Sequence, residues 1–338
     1  MSERHFRILG TGAYLPGAPV SSAELESRAG LPAGFALQRS GVAARHFAGP
    51  GESCASMGAQ ALQAALGEAG LQYADLDLLI SAAGSFDHPI PHQACLIPGS
   101  MGLPPGSAPC FDVDATCLSF VTALDVATAL MAAGRYRRIA IVTAEIASRS
   151  LDPSDEETFT LLADGAAAAV IEAAEPGSPG SIRVLGALMR TFPQGAAFTM
   201  VPGGGNALHP IDRSLPGTAF TFHMKGREVL RMAMEQLPDF LRDLYAPLPF
   251  ALAETDLIIP HQASRVGLAF FQKLAGLRED QVWTNLEHYG NCIAASIPLG
   301  LHDAIRAGAL GPGRRFALMG TAAGLSIGGL VLEWLPEN

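Results

Sequence analysis

With 338 residues the chain has room for a large core and for two structural halves. Because 49% of it is hydrophobic and only 16% is charged, much of its surface must be buried, in layered sheets and helices or against another subunit. A net charge of -10 with no basic run argues against a general nucleic-acid binder. There is no run of about 18 consecutive apolar residues to span a membrane, and MSERHFRILG has no signal-peptide pattern. The cysteines Cys54, Cys95, Cys110, Cys117 and Cys292 are odd in number and lack CxxC spacing, which suits reduced thiols in a cytoplasm.

In chain order, residues 56–69 read as an Ala-rich helix and 76–82 as the strand after it. CFDVD (110–114) reads as a strand. Residues 118–133 are apolar nearly all round, the pattern of a buried helix, and Gly134 ends it. An apolar strand follows over 139–144. GAAAAVIEA from Gly165 reads as a strand despite its alanines, because it follows the turn-like ADG. A helical period holds over 224–246. Helices alternating with buried strands predict an α/β layered fold.

Three pairs of segments recur in the same order at a near-constant spacing. FRILG from Phe6 resembles IRVLG from Ile182, YADLDLLISAA from Tyr73 resembles LAETDLIIPHQ from Leu252, and RRIAIVTAE from Arg137 resembles RRFALMGTA from Arg314. The period is far too long for a solenoid. It predicts two homologous halves, 1–175 and 176–338, joined at the Gly-, Pro- and Ser-rich segment 173–181.

Cys117 sits where the strand CFDVD meets the buried helix, among the small residues Ala115, Thr116 and Ser119. The first amides of a helix lack partners inside it, and the helix dipole there favours negative charge. A thiolate at that place is expected to be stabilised and nucleophilic. A buried, inert cysteine is the commoner outcome for an isolated free Cys. The repeat spacing carries 117 to Ala295, within EHYGNCIAASIPLGL, so two equivalent helix starts can face each other across a pseudo-twofold axis. His261, at the end of a strand in IIPHQAS, and Asn291, at a turn in YGNCIAAS, are the candidate polar groups from the second half. Cys, His and Asn also suit a protease-like set. His88 and His92 are separated by two prolines, so they do not present a helical metal pair, and no metal is expected.

DATCLSFVTALDVA, PHQAS and HYGNCIAASIPLGL, in this order, resemble the condensing enzymes of the thiolase superfamily, in particular β-ketoacyl-[acyl carrier protein] synthase III. The resemblance runs the whole length and includes GTGAYLP (10–16), RSGVAARH (39–46), LADGAAAAV (162–170) and AAGLSIGG (322–329). It implies a duplicated thiolase-like five-layer α/β/α/β/α sandwich. It also implies that Cys117 takes an acyl group from an acyl-CoA primer, and that His261 and Asn291 donate hydrogen bonds to the carbonyl of a malonyl thioester. Loss of CO2 leaves an enolate, whose charge such donors stabilise, and attack on acyl-Cys117 then gives a β-ketoacyl thioester. The backbone amides of Cys117 and Ala323 would hold the oxyanion. Coenzyme A thioesters are the substrates, and no cofactor is implied.

The resemblance further implies coenzyme A contacts from Phe35, Arg39 and Arg149. Lys225, Arg227 and Arg231 form a basic strip in an acidic protein, suited to an acidic carrier protein or simply to a solvated helix face. Ile90 stands where many members have a Phe that limits acyl length, and Ala322, Ala323, Ser264 and Arg265 also depart from the usual pattern. A cytoplasmic homodimer is expected. The alternatives are acyl transfer to an alcohol or amine, joining of two acyl chains without decarboxylation, and a non-catalytic partner subunit.

Overall fold

A computed structural model describes residues 3–337 except 105 and 107. Its nine main strands are β1 His5–Tyr14, β2 Leu78–Ser81, β3 Cys110–Asp112, β4 Arg138–Ile146, β5 Asp164–Ala173, β6 Ile182–Thr191, β7 Leu257–Pro260, β8 Arg315–Ala322 and β9 Ser326–Trp334. The main helices are α1 Cys54–Ala69, α2 Gln93–Ser100, α3 Ser119–Ala132, α4 Gly226–Tyr245, α5 Arg265–Leu274 and α6 Ser296–Arg306.

The first five strands run in the order β3-β2-β4-β5-β1, and the rest in the order β7-β8-β9-β6. A single parallel bridge, Ile258 to Val282, lies beside β7 where the first half has β3. Both halves pair parallel across the middle and antiparallel toward the first strand. The two sheets join only where His5 and Phe6 of β1 meet Arg183 and Ile182 of β6. Helices α1 and α2 cover the first sheet, and α4 packs on the second. Helices α3 and α6 touch strands of both halves and each other, so they form the middle of five layers. The central core accordingly mixes Leu118 and Phe120 with Ile297, Leu301, Phe316 and Leu318.

The elements follow their local chemistry. α1 starts at Cys54 rather than at 56, because Ser53 caps it and Asp87 accepts the amides of Cys54 and Ala55, each at 2.8 Å. Gly70 closes it in the left-handed conformation. The strand from Asp164 is alanine-rich and fully buried over most of its length, lying between β1 and β4. The expected junction, 173–181, spans the connection between β5 and β6. Among the described residues no helix is long and apolar enough to cross a membrane.

α1 lies almost against the backbone of β1. A Cβ on Gly12 would fall 2.1 Å from the Ala61 carbonyl oxygen, and one on Gly10 would fall 2.3 Å from that of Ala65. Any side chain there must push the helix off the sheet. Gly12→Val is therefore expected to lower stability by about 1–3 kcal/mol, read from urea unfolding followed by circular dichroism.

Candidate active site

Cys117 lies in a single 3-10 turn, Thr116–Leu118, between β3 and α3. Thr116 has φ +50°, and its amide donates to Asp114 Oδ1 at 2.8 Å. Ser119 Oγ accepts from the Ala115 amide at 2.9 Å and donates to the Thr116 carbonyl at 2.7 Å. The regular helix begins only at Ser119 because this turn is left-handed at its first residue, which a helix does not tolerate.

The second half repeats the device. Ile293 has φ +48° in the turn Ile293–Ala295 before α6, and its amide donates to Asn291 Oδ1 at 2.8 Å. Thr116 and Ile293 are the two non-glycine residues with positive φ among the described residues. Asn291 thus corresponds to Asp114 and Ala294 to Cys117, one residue short of the Ala295 expected from a repeat spacing of about 178. The two turns pack against each other, and the first also packs on β8.

Asn291 is 7% exposed. With Oδ1 held by the Ile293 amide, Nδ2 points the other way and donates to the Ala263 carbonyl at 3.3 Å. A second N–H of that amide group remains to donate. Two residues before Ala263, His261 extends β7. Its amide donates to the Met319 carbonyl at 2.8 Å, and its Cβ lies against Gly320, where an added Cβ would stand 2.5 Å from it. His261 Nδ1 is buried without a hydrogen-bond partner. Burial holds the imidazole down to about 4, so it is neutral at physiological pH.

The Cys117 thiol is pushed up to about 12, first by burial and then by the Glu145 carboxylate; the Ala323 and Cys117 amides and the Thr116 hydroxyl oppose this. The stabilised thiolate expected from the helix start is thus not the resting form. Burial opposes the helix start and favours the protonated thiol. Ala323 also bounds the site, accepting from Thr116 Oγ1 at 3.4 Å.

Glu145 escaped the sequence reading. It is fully buried at the end of β4. Oε1 accepts the Gly84 amide at 2.7 Å, and Oε2 has no hydrogen-bond partner. A Cβ on Gly84 would stand 3.6 Å from Thr116 Cα, 3.8 Å from Glu145 Oε1 and 4.0 Å from Ile293 Cγ2, so the carboxyl lies beneath both left-handed turns. Burial pushes it up to about 7, against the Ser85 hydroxyl and the Gly84 amide. The available signal was a carboxylate closing the apolar strand IAIVTAE.

The other candidates scatter. Arg39, on the short helix Phe35–Ser40, and Arg227, at the start of α4, rim a cavity that reaches His261. Phe35, at the start of the same short helix, is half-buried. Arg149 lies apart: it donates to the Glu52 carbonyl at 2.5 Å and lines a separate pocket with Asp87 and His88. Lys225, Arg227 and Arg231 are exposed and form no ion pair among the described residues. Ile90, expected to gate an acyl pocket, is 87% exposed on the single chain.

This duplicated sandwich, with a cysteine at one inner helix start and His and Asn from the other half, defines the thiolase-like acyltransferases. Family models match in both halves: 3-Oxoacyl-[acyl-carrier-protein (ACP)] synthase III over residues 111–191 and its C-terminal counterpart over 249–334. The chain is 34% identical to the β-ketoacyl-[acyl-carrier-protein] synthase III of Allorhizobium ampelinum over 97% of this chain and 98% of that protein. The identity is also 34%, with the same coverage, for the protein of that name from Cereibacter sphaeroides. The crystal structure of the Pseudomonas aeruginosa synthase III superposes with a TM-score of 0.87 at 29% identity, covering 99% of this chain and all (100%) of that one. The chain belongs to the β-ketoacyl-[acyl-carrier-protein] synthase III family.

Glu145 gives a direct test of the site's electrostatics. At pH 8 its charge holds the Cys117 thiol up, so Glu145→Gln lowers the thiol pKa and enlarges the thiolate fraction. Alkylation of Cys117 by iodoacetamide is expected to quicken by roughly tenfold for each unit of that drop. An unchanged rate, measured by mass spectrometry of the Cys117 peptide, would separate Glu145 from the nucleophile.

Proposed function

We propose that this protein condenses an acyl-CoA primer with a malonyl thioester, using Cys117 as nucleophile and His261 and Asn291 as the donors for decarboxylation. The observation that supports this reading is that His261 and Asn291 are both buried in the second half and joined through Ala263, with the turn after Asn291 packed against the turn that holds Cys117.

In the first step the Cys117 sulfur adds to the primer thioester carbonyl, and the amides of Cys117 and Ala323 hold the oxyanion. The carbon–sulfur bond to coenzyme A breaks, and the thiol proton ends on the departing thiol.

In the second step the malonyl thioester places its carbonyl oxygen between His261 and Asn291. The bond to the carboxylate breaks, CO2 leaves, and the electron pair moves into an enolate whose oxygen gains charge. Donors fixed before the reaction stabilise that charge without reorganising. The enolate carbon attacks the acyl carbon on Cys117. The acyl–sulfur bond breaks, and Cys117 is reprotonated.

The exposed Arg39 and Arg227 at the cavity rim suit the phosphates of coenzyme A or of a carrier arm, and Lys225 and Arg231 extend this basic strip toward an acidic carrier protein. Phe35 and Arg149 remain secondary candidates for coenzyme A contact. A homodimer is supported by the exposed Phe86 and Ile90, 58% and 87%, which a second subunit would cover. The duplicated topology supports halves divided near 175, and the protein is read as cytoplasmic.

The experiment is CO2 release from malonyl-CoA and from carrier-bound malonate. His261→Ala is expected to slow release by roughly a hundred- to a thousandfold. Because His261 protonates only as pH falls to about 4, its loss as a neutral donor should lower release only below pH values of about 5, and any step near pH 7 would report Glu145 instead. Release unaffected by His261→Ala would contradict the assignment, and no release from either substrate would favour chain joining without decarboxylation.

A further inference from the structure

Arg45 ends the short strand Ala44–Arg45 and is fully buried. Among the described residues no carboxylate pairs with it. Nη1 donates to the Phe159 carbonyl at 2.5 Å and to the Leu162 carbonyl at 3.3 Å, while Nε and Nη2 have no hydrogen-bond partner. The Phe47 ring lies 5.5 Å from the guanidinium carbon. Burial lowers the guanidinium to about 10, so it stays charged at physiological pH. A buried cation without an anion is costly, and an apolar side chain of similar length would fill the space without that cost. What the cation does here is hold two carbonyls of an irregular segment. One of them closes the short helix Glu156–Phe159, whose last carbonyls have no partner inside the helix.

That segment frames Asn291. The Leu161 carbonyl accepts the Asn291 amide at 2.9 Å, and the Asn291 carbonyl accepts the Ala163 amide at 3.0 Å. The Asn291 backbone is therefore gripped by the two residues that flank Leu162, whose own carbonyl Arg45 holds. The stem of Arg45 also reaches the Asn291 loop directly. Gly290 has φ +69°, and a Cβ on it would fall 2.8 Å from the Leu161 carbonyl oxygen, 2.9 Å from Arg45 Cγ and 3.0 Å from Arg45 Cδ. Because Asn291 Oδ1 is committed to the Ile293 amide, the side-chain amide follows its backbone, and a shift of the 159–163 segment re-aims its free N–H.

We propose that Arg45 is a positioning residue for decarboxylation: through the carbonyls of Phe159 and Leu162 it fixes the Asn291 backbone and so aims the Asn291 amide at the malonyl carbonyl. Arg45 itself touches no substrate. The inference rests on the decarboxylative reading above and ties a donor of the second half to a buried cation of the first. The hydrogen bonds of Arg45 run to Phe159 and Leu162 and not to the turn Thr116–Leu118, so acyl transfer to Cys117 does not depend on it.

The test measures two half-reactions on the same protein. Formation of acyl-Cys117 from acyl-CoAs and acyl carrier proteins is followed by intact mass against time, and CO2 release is followed from malonyl-CoA and carrier-bound malonate. Arg45→Met is expected to lower kcat for CO2 release by roughly ten- to a hundredfold, the scale of a misplaced catalytic group. KM and the acylation rate should stay within about twofold of the wild type. Arg45→Lys, which keeps the charge but not the planar fork, should fall between the two. With Asn291→Ala already in place no amide is left to aim, so adding Arg45→Met should cost no more than about a further twofold. Gly290→Ala leaves Arg45 intact but drives a methyl between it and Leu161; it should give the same pattern and serves if Arg45→Met does not fold, with a thermal melt checking each. Unchanged CO2 release in a folded variant, equal losses in both half-reactions, or effects of Arg45→Met and Asn291→Ala that multiply would overturn the proposal alone. No CO2 release by the wild type, or release that Asn291→Ala does not slow, would instead overturn the decarboxylative reading, and this inference with it.

Discussion

Two β-branched residues, Thr116 and Ile293, are held in the left-handed backbone region at the meeting point of the two halves. Such conformations cost about 1–3 kcal/mol each and persist only where their surroundings over-determine them. Here each is staked by an Asx side chain two residues earlier, Asp114 or Asn291, and the two turns brace each other above the buried Glu145 carboxyl. The strain turns the chain sharply from strand to helix. It leaves Cys117 at the apex of one turn and frees the Asn291 amide at the base of the other. One inherited device therefore supplies two different functional groups, and an Asn rather than an Asp at 291 makes the second a donor.

The site is almost uncharged at rest. The thiol and the imidazole are both neutral, and the third group is an amide. The ionisable group nearest neutrality is Glu145, and it sits below the turns. Charge appears only as the reaction runs, on the oxyanion and then on the enolate. Neutral dipoles fixed in a desolvated site favour those states over the ground state, the differential that lowers a barrier. A cationic imidazole would bind the ground-state carboxylate as well and lose part of that advantage.

Much of this was legible in the sequence because duplication leaves a periodic trace. The paired segments pointed to the repeated strand pattern, and the strand-to-helix position of Cys117 followed from apolar runs of different period. The middle helix pair was implied by the all-round apolarity of 118–133. What escaped depends on burial, which a linear pattern does not report. The thiolate expectation failed because desolvation outweighs the helix start. Glu145 was passed over because a lone acid at a strand end normally faces water. Ile90 was expected to gate an acyl pocket, yet it is exposed on the single chain, as is Phe86. The counterpart of Cys117 lies one residue before the expected Ala295, within the spread of 176 to 179 residues between the paired segments.

The central claim, that Cys117 carries the acyl group, is tested most directly by intact-mass spectrometry after incubation with a range of acyl-CoAs and acyl carrier proteins, with Cys117→Ala beside the wild type. The expected result is one adduct of acyl mass on the wild type and none on the variant. An adduct that survives in Cys117→Ala, or no adduct from any of these donors, would contradict it.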